Sequence, residues 1–150
     1  MVFFATFIQI AVGASPEPDF VAMYKDFFKD LKGKQYQKVW GALALGSRKS
    51  IAKEIADAAL SMGKITTEAQ VYDMLERNES NFRTAFFDGR IAEWEKVSFW
   101  TELNTAKLSL KSSTRERAIL TIMLKNDPKD FQIIREEGRW KVNFFDDLSR

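Results

Sequence analysis

From Asp19 onward the apolar residues Phe20, Met23, Tyr24, Phe27, Phe28 and Leu31 recur at spacings of one, three and four. They form one stripe of an amphipathic helix, with Lys25, Asp26, Lys29, Asp30 and Lys32 on its other side. Gly33 stands where such a helix stops. Tyr36, Val39, Trp40 and Leu43 repeat the stripe in a second, shorter helix that ends near Gly46. Ser47 is placed to cap a third, whose stripe is Ile51, Ile55, Ala58, Ala59 and Met62, with Gly63 behind it. Thr67 with Gln70 forms a capping box for a fourth helix. Its stripe runs Val71, Met74, Leu75, Asn78, Phe82 and Phe86 to a stop at Asp88-Gly89. Residues 90 to 103 fit either period, and we read them as a short helix leading into a strand.

After Asn104 the period changes to two. Ala106, Leu108 and Leu110 alternate with Thr105, Lys107, Ser109 and Lys111, which predicts a strand with one wet face. Residues 118 to 124, AILTIML, are nearly all apolar and predict a central strand covered on both faces. A turn at Asn126-Asp127-Pro128 precedes Phe131, Ile133 and Arg135, which alternate with Gln132 and Ile134. Gly138 then sets a hairpin into Trp140, Val142 and Phe144. Helices first and an antiparallel meander last is an α+β arrangement with three to four strands. Trp40 and Trp140 fall on apolar stripes, so both are expected in the core between helices and sheet.

Composition narrows the chemistry. The chain has 150 residues, 45% of them apolar, which suits one domain with a substantial core. Lysines and arginines number 23 against 21 acids, and the two signs are interspersed. A net charge of +2 gives no segregated field for nucleic acid, so no nucleic-acid partner is expected. There is no His and no Cys. Disulfides, thiolate nucleophiles, Cys/His zinc sites and Ser-His pairs are thereby excluded. Asp73 and Glu76 lie near Tyr72, and Asp57 interrupts an Ala-rich face, but each reads as a solvated helix charge. The sequence assigns no catalytic residue, no cofactor and no metal. Asn78-Glu79-Ser80 matches a glycosylation sequon, a tripeptide common by chance.

Residues 2 to 14, VFFATFIQIAVGA, carry no charge, and the first charged side chain after them is Glu17. The run is too short to span a bilayer about 30 Å thick, yet it has the length of a signal peptide's apolar region. Val12-Gly13-Ala14 offers a small residue before a cleavage point at Ser15, and Pro16 and Pro18 follow. The usual basic residue before the run is missing. The expectation is an exported protein, periplasmic or extracellular, with residues 1–14 as signal peptide and 15–150 as a single domain.

The segment DFFKDLKGKQYQKVW, Asp26 to Trp40, resembles the opening helices of the nuclear transport factor 2-like superfamily. The ending FQIIREEGRWKVNF, Phe131 to Phe144, resembles that superfamily's last hairpin. The resemblance implies helices on a curved sheet, forming a cone with a pocket between them. It implies a lining of Trp40 and Tyr72 from the helices, Met123 and Phe144 from the strands, and Trp100 from the connector. Trp94, Phe99 and Trp100 would then lie at the mouth of the cone. Fold alone says little about chemistry in such a superfamily. The expectation is a non-catalytic domain binding an apolar small molecule or lipid in the cone. A homodimer or protein contact through the sheet face is the alternative.

Overall fold

The computed structural model describes residues 17–125 and 127–144. The proposed signal peptide lies outside them. The described chain is α+β: α1 (Phe20–Lys32), α2 (Tyr36–Ala42), α3 (Leu45–Ser61), α4 (Glu68–Arg77), α5 (Phe82–Lys96) and α6 (Phe99–Thr105), followed by β1 (Lys107–Ser113), β2 (Arg117–Leu124), β3 (Asp127–Glu136) and β4 (Arg139–Asn143). The four strands form one antiparallel sheet in chain order. Among the described residues, no helix is long and apolar enough to cross a membrane.

Helix α1 follows its stripe. Asp19 accepts from the Ala22 amide at 3.0 Å to cap it, and Phe20, Tyr24, Phe27, Phe28 and Leu31 are buried. Its aromatic face lies against the inner face of the sheet, where Tyr24 meets Phe131 at 5.7 Å between centroids and Phe20 meets Trp140 at 4.8 Å. That face is built from Ala118, Leu120, Ile122 and Leu124 of β2, Phe131 and Ile133 of β3, and Val142 of β4. Trp140 shares the face with Val142, as expected, but it is only half-buried, at the sheet's edge with the Arg135 guanidinium over its ring.

The strand β2 is not covered on both faces. Its even-numbered residues are buried, whereas Met123 is 44% exposed. All the helices that pack on the sheet use one side of it, so the apolar run AILTIML spends half of its residues near solvent. The outer face is made tolerable by polar cross-strand partners. Thr121 donates to Asp130 at 2.8 Å, and Lys111 pairs with the same carboxylate.

The strand turns correct one expectation and meet another. Asp127 and Pro128 are not in a turn: they pair with Leu124 and Met123. Pro128 is accepted in β3 because β4 pairs only from Gln132 onward, leaving the proline's other side as an edge. The β3–β4 hairpin does close through Glu137 and Gly138, at φ 49° and 77°, the two left-handed positions of a tight hairpin turn.

The helical boundaries move for local reasons. Ser47 does not cap α3. The helix begins at Leu45, whose amide donates to the Glu136 carboxylate at 3.0 Å, and the buried Ser47 hydroxyl donates to Asn143 at 2.8 Å. A carboxylate from the sheet therefore does the capping. Gly46 lies inside α3 rather than ending α2. The Thr67–Gln70 capping box on α4 is present as read. The fourth stripe, in contrast, is two helices. Asn78, Ser80 and Asn81 all have positive φ, which breaks the chain at a 3-10 turn, and α5 runs through Asp88-Gly89 to Lys96. Residues 99 to 105 are then helical, so neither Phe99 nor Trp100 begins a strand.

A groove between three helices

The five residues expected to line a cone fall in three places. Trp100 and Phe144 are buried in an aromatic cluster. The Phe144 ring meets Phe28 at 5.2 Å, Phe131 at 5.5 Å, and Phe27 and Trp94 at 5.7 Å; Trp94 in turn stacks on Trp100 at 6.1 Å. Side chains at such spacing fill the space between helices and sheet. Trp40 and Tyr72 meet each other, at 6.5 Å, on the far side of the helical layer. Met123 is on the outer face of the sheet. Trp94 and Phe99 are half-buried against the same aromatic core.

Around Trp40 the neighbours are charged. The guanidinium of Arg83 lies 5.3 Å from the ring centroid and that of Arg48 lies 5.9 Å away. Arg48 pairs with Glu76 at 2.7 Å. Burial alone would raise the Glu76 carboxyl, but Tyr72, Trp40 and Arg48 favour its charged form and hold it below the ordinary range. The Trp40 indole N–H faces this carboxylate without forming a well-aligned hydrogen bond. The Tyr72 phenol is pushed up to about 12, first by burial and then by its bond to Glu76. Tyr36 and Asp88 make a similar pair, 2.5 Å apart: burial and Asp88 raise the phenol, while Tyr36 and Lys34 lower the carboxyl. The shifts of Glu76, Tyr72, Tyr36 and Asp88 all run away from neutrality. Such groups hold structure, and none is poised to exchange a proton near pH 7.

These shifts set a pH dependence. A carboxyl with a depressed folded value stabilises fully above its ordinary value, 4.5 for Glu76, and stops doing so once the pH falls below the folded value. Glu76→Gln is expected to cost about 1 kcal/mol at pH 7, a figure kept small because the pair is partly exposed. Denaturant melts from pH 7 to 2 should show the difference between the two proteins shrinking as the pH falls below 4.5. A constant difference across that range would mean Glu76 acts by packing alone.

The described residues hold a different cavity, an open groove of about 590 Å³ between α3, α4 and α5. Its origin is local. Ala58 and Ala59 on α3 face Ala85 and Gly89 on α5, where small residues leave the two helices apart. Val71 and Met74 of α4 line the space between them, with Phe82 and Phe86 from α5. One end is tied by Arg90, which pairs with Glu54 across the groove and with Glu93 at 3.5 Å, while its guanidinium lies over Phe86 at 5.5 Å. The α3–α4 loop adds Met62, Lys64 and Ile65 to the lining.

The signal for this groove was in the stripes. Ile55, Ala58, Ala59 and Met62 continue the apolar face of α3, yet the buried residues of that helix are Ser47, Ile51, Ala52 and Ala56, all in its first three turns. The buried residues of α3 stop at Ala56, and Ala58, Ala59 and Met62 beyond it border the groove. No family model, no curated protein and no solved structure matches this chain.

Proposed function

We propose that this is a non-catalytic binding domain that takes an apolar small molecule or a lipid chain in the α3–α4–α5 groove. The observation that carries this reading is the groove itself. Its lining is dominated by Ile, Ala, Val, Met and Phe, with Glu54, Lys64, Arg90 and Glu93 as its charged members. Its volume lies in the range of sites for drug-sized ligands, about 300 to 1,000 Å³, which combine an apolar wall with a few placed polar groups. The close aromatic contacts of Phe144 with Phe28, Phe131 and Trp94 favour the helical face over the cone as the place for the site. We further propose kinship with the nuclear transport factor 2-like superfamily, supported by helices that precede an antiparallel meander and pack on one side of it. Export is part of the same proposal and is supported by residues 2 to 14.

Titration of the full chain with an environment-sensitive apolar dye tests the site. Saturable binding is expected, and Ala59→Phe, which fills the groove, should weaken it about ten-fold or more. Met123→Ala, on the outer sheet face, should leave it unchanged. Saturable binding that Ala59→Phe does not alter, in a protein that remains folded, would place the ligand elsewhere.

A further inference from the structure

A second cavity, of about 310 Å³, lies where the start of α2 meets the α4–α5 break. Successive residues of α5 serve the two spaces: Phe82 lines the apolar groove, and Arg83 lines this cavity. Its character is the opposite of the groove's. Lys34, Gln37, Asn78, Arg83 and Thr84 border it, and no Asp or Glu is in its lining.

Arg83 is the unusual member. It is 2% exposed, and an arginine buried to that degree ordinarily has a carboxylate beside it. Among the described residues Arg83 has no such bond: its donors go to the carbonyls of Leu75 and Glu76 and to the Gln37 side-chain oxygen. The Glu76 carboxylate is held by Arg48 instead, at 2.7 Å. Those bonds use four of the five guanidinium N–H groups and leave one on the nitrogen that meets Gln37.

A guanidinium only donates, so it fixes how its neighbours turn. Gln37 must present Oε1 to Arg83, and Asn78 Oδ1 accepts from the Arg83 backbone amide at 3.2 Å. Each amide is then left with its NH2 group, and neither nitrogen has a partner among the described residues. The Thr84 hydroxyl has none either. Lys34 meets Asp88 at 2.9 Å, a carboxylate it shares with Tyr36, and an ammonium has two further N–H groups to give. The cavity is therefore bordered by spare donors and by positive charge.

We propose that this cavity binds a phosphate group, carried either as free phosphate or as a monoester of a small molecule. Phosphate brings about −1.5 to −2 charges near neutral pH and three strong acceptor oxygens. A carboxylate, with two oxygens and a single charge, satisfies fewer of the five donor side chains. The bound anion gives Arg83 the charged partner that the described chain does not. This site is separate from the α3–α4–α5 groove and depends on nothing proposed for it.

Isothermal titration calorimetry of the full chain provides the test, with inorganic phosphate in one arm and glycerol phosphate in the other. Chloride holds the ionic strength constant, so general screening does not register as binding. Saturable binding is expected, and tighter binding of the ester identifies an organic phosphate as the source. Gln37→Glu keeps the oxygen that Arg83 requires and replaces the NH2 with a second oxygen. It should weaken phosphate binding at least about ten-fold while raising the thermal midpoint, because Arg83 gains a carboxylate, so the loss is not one of folding. Thr84→Val, which keeps the shape, should weaken binding about five-fold. Lys53→Gln, a cation outside the lining, should change nothing. No saturable binding in either arm, binding that Gln37→Glu leaves intact, or an equal loss with Lys53→Gln would overturn the proposal. Citrate bound more tightly than either phosphate would overturn it as well.

Discussion

Replacing Phe144 with Ala is expected to lower stability by about 3 to 5 kcal/mol, among the largest effects of any single truncation in this chain. The side chain is fully buried and lies at the meeting point of α1, α5 and the sheet, where Phe27, Phe28, Trp94 and Phe131 surround it. These are ring-to-ring contacts from several elements, so no single movement closes the hole that Ala would leave. Urea melts give the measurement. Trp140→Ala is the useful comparison: the same strand register places it on the same face, but it is only partly buried, and about 1 to 2 kcal/mol is expected. If both substitutions cost the same, burial is not what distinguishes the centre of the sheet from its edge.

Arg83→Met should cost about 2 to 4 kcal/mol, which is unusual for the loss of a basic side chain. Arg83 is 2% exposed. Its Nε and one terminal nitrogen donate to Leu75 O at 2.9 and 2.7 Å, that nitrogen also reaches Glu76 O at 2.8 Å, and the other terminal nitrogen donates to Gln37. Burial lowers its pKa, yet a guanidinium starts so high that it stays charged near neutrality. The side chain therefore caps the last carbonyls of α4 and fixes the break before α5. Met keeps an unbranched apolar stem but removes the guanidinium, and with it every donor and the contact over Trp40. Arg83→Lys should recover little, because one ammonium cannot reproduce a planar fork aimed at three acceptors. Hydrogen exchange at residues 78–82 should accelerate in both variants. A loss below about 0.5 kcal/mol would mean that water takes over the carbonyls.

What the sequence determined was the order and type of the elements. The apolar periods of α1, α2 and the last hairpin, and the capping box at Thr67, come from interactions within a few residues, so the chain states them directly. The α4–α5 break was also legible in principle, because Asn-Glu-Ser-Asn supplies residues that accept positive φ. The apolar phase of Phe82 and Phe86 masked it. What only the tertiary structure decided was which apolar faces meet. An apolar stripe says that a face wants cover and does not say what will cover it. On that ground AILTIML was read as covered twice and is covered once. The α3 stripe Ile55, Ala58, Ala59 and Met62 borders a groove. The capping of α3 by Glu136, 91 residues away, could not be seen from Ser47's neighbours. The aromatic residues expected around a cavity pack against one another, because ring size and approach, which no period encodes, determine whether facing stripes leave space or fill it.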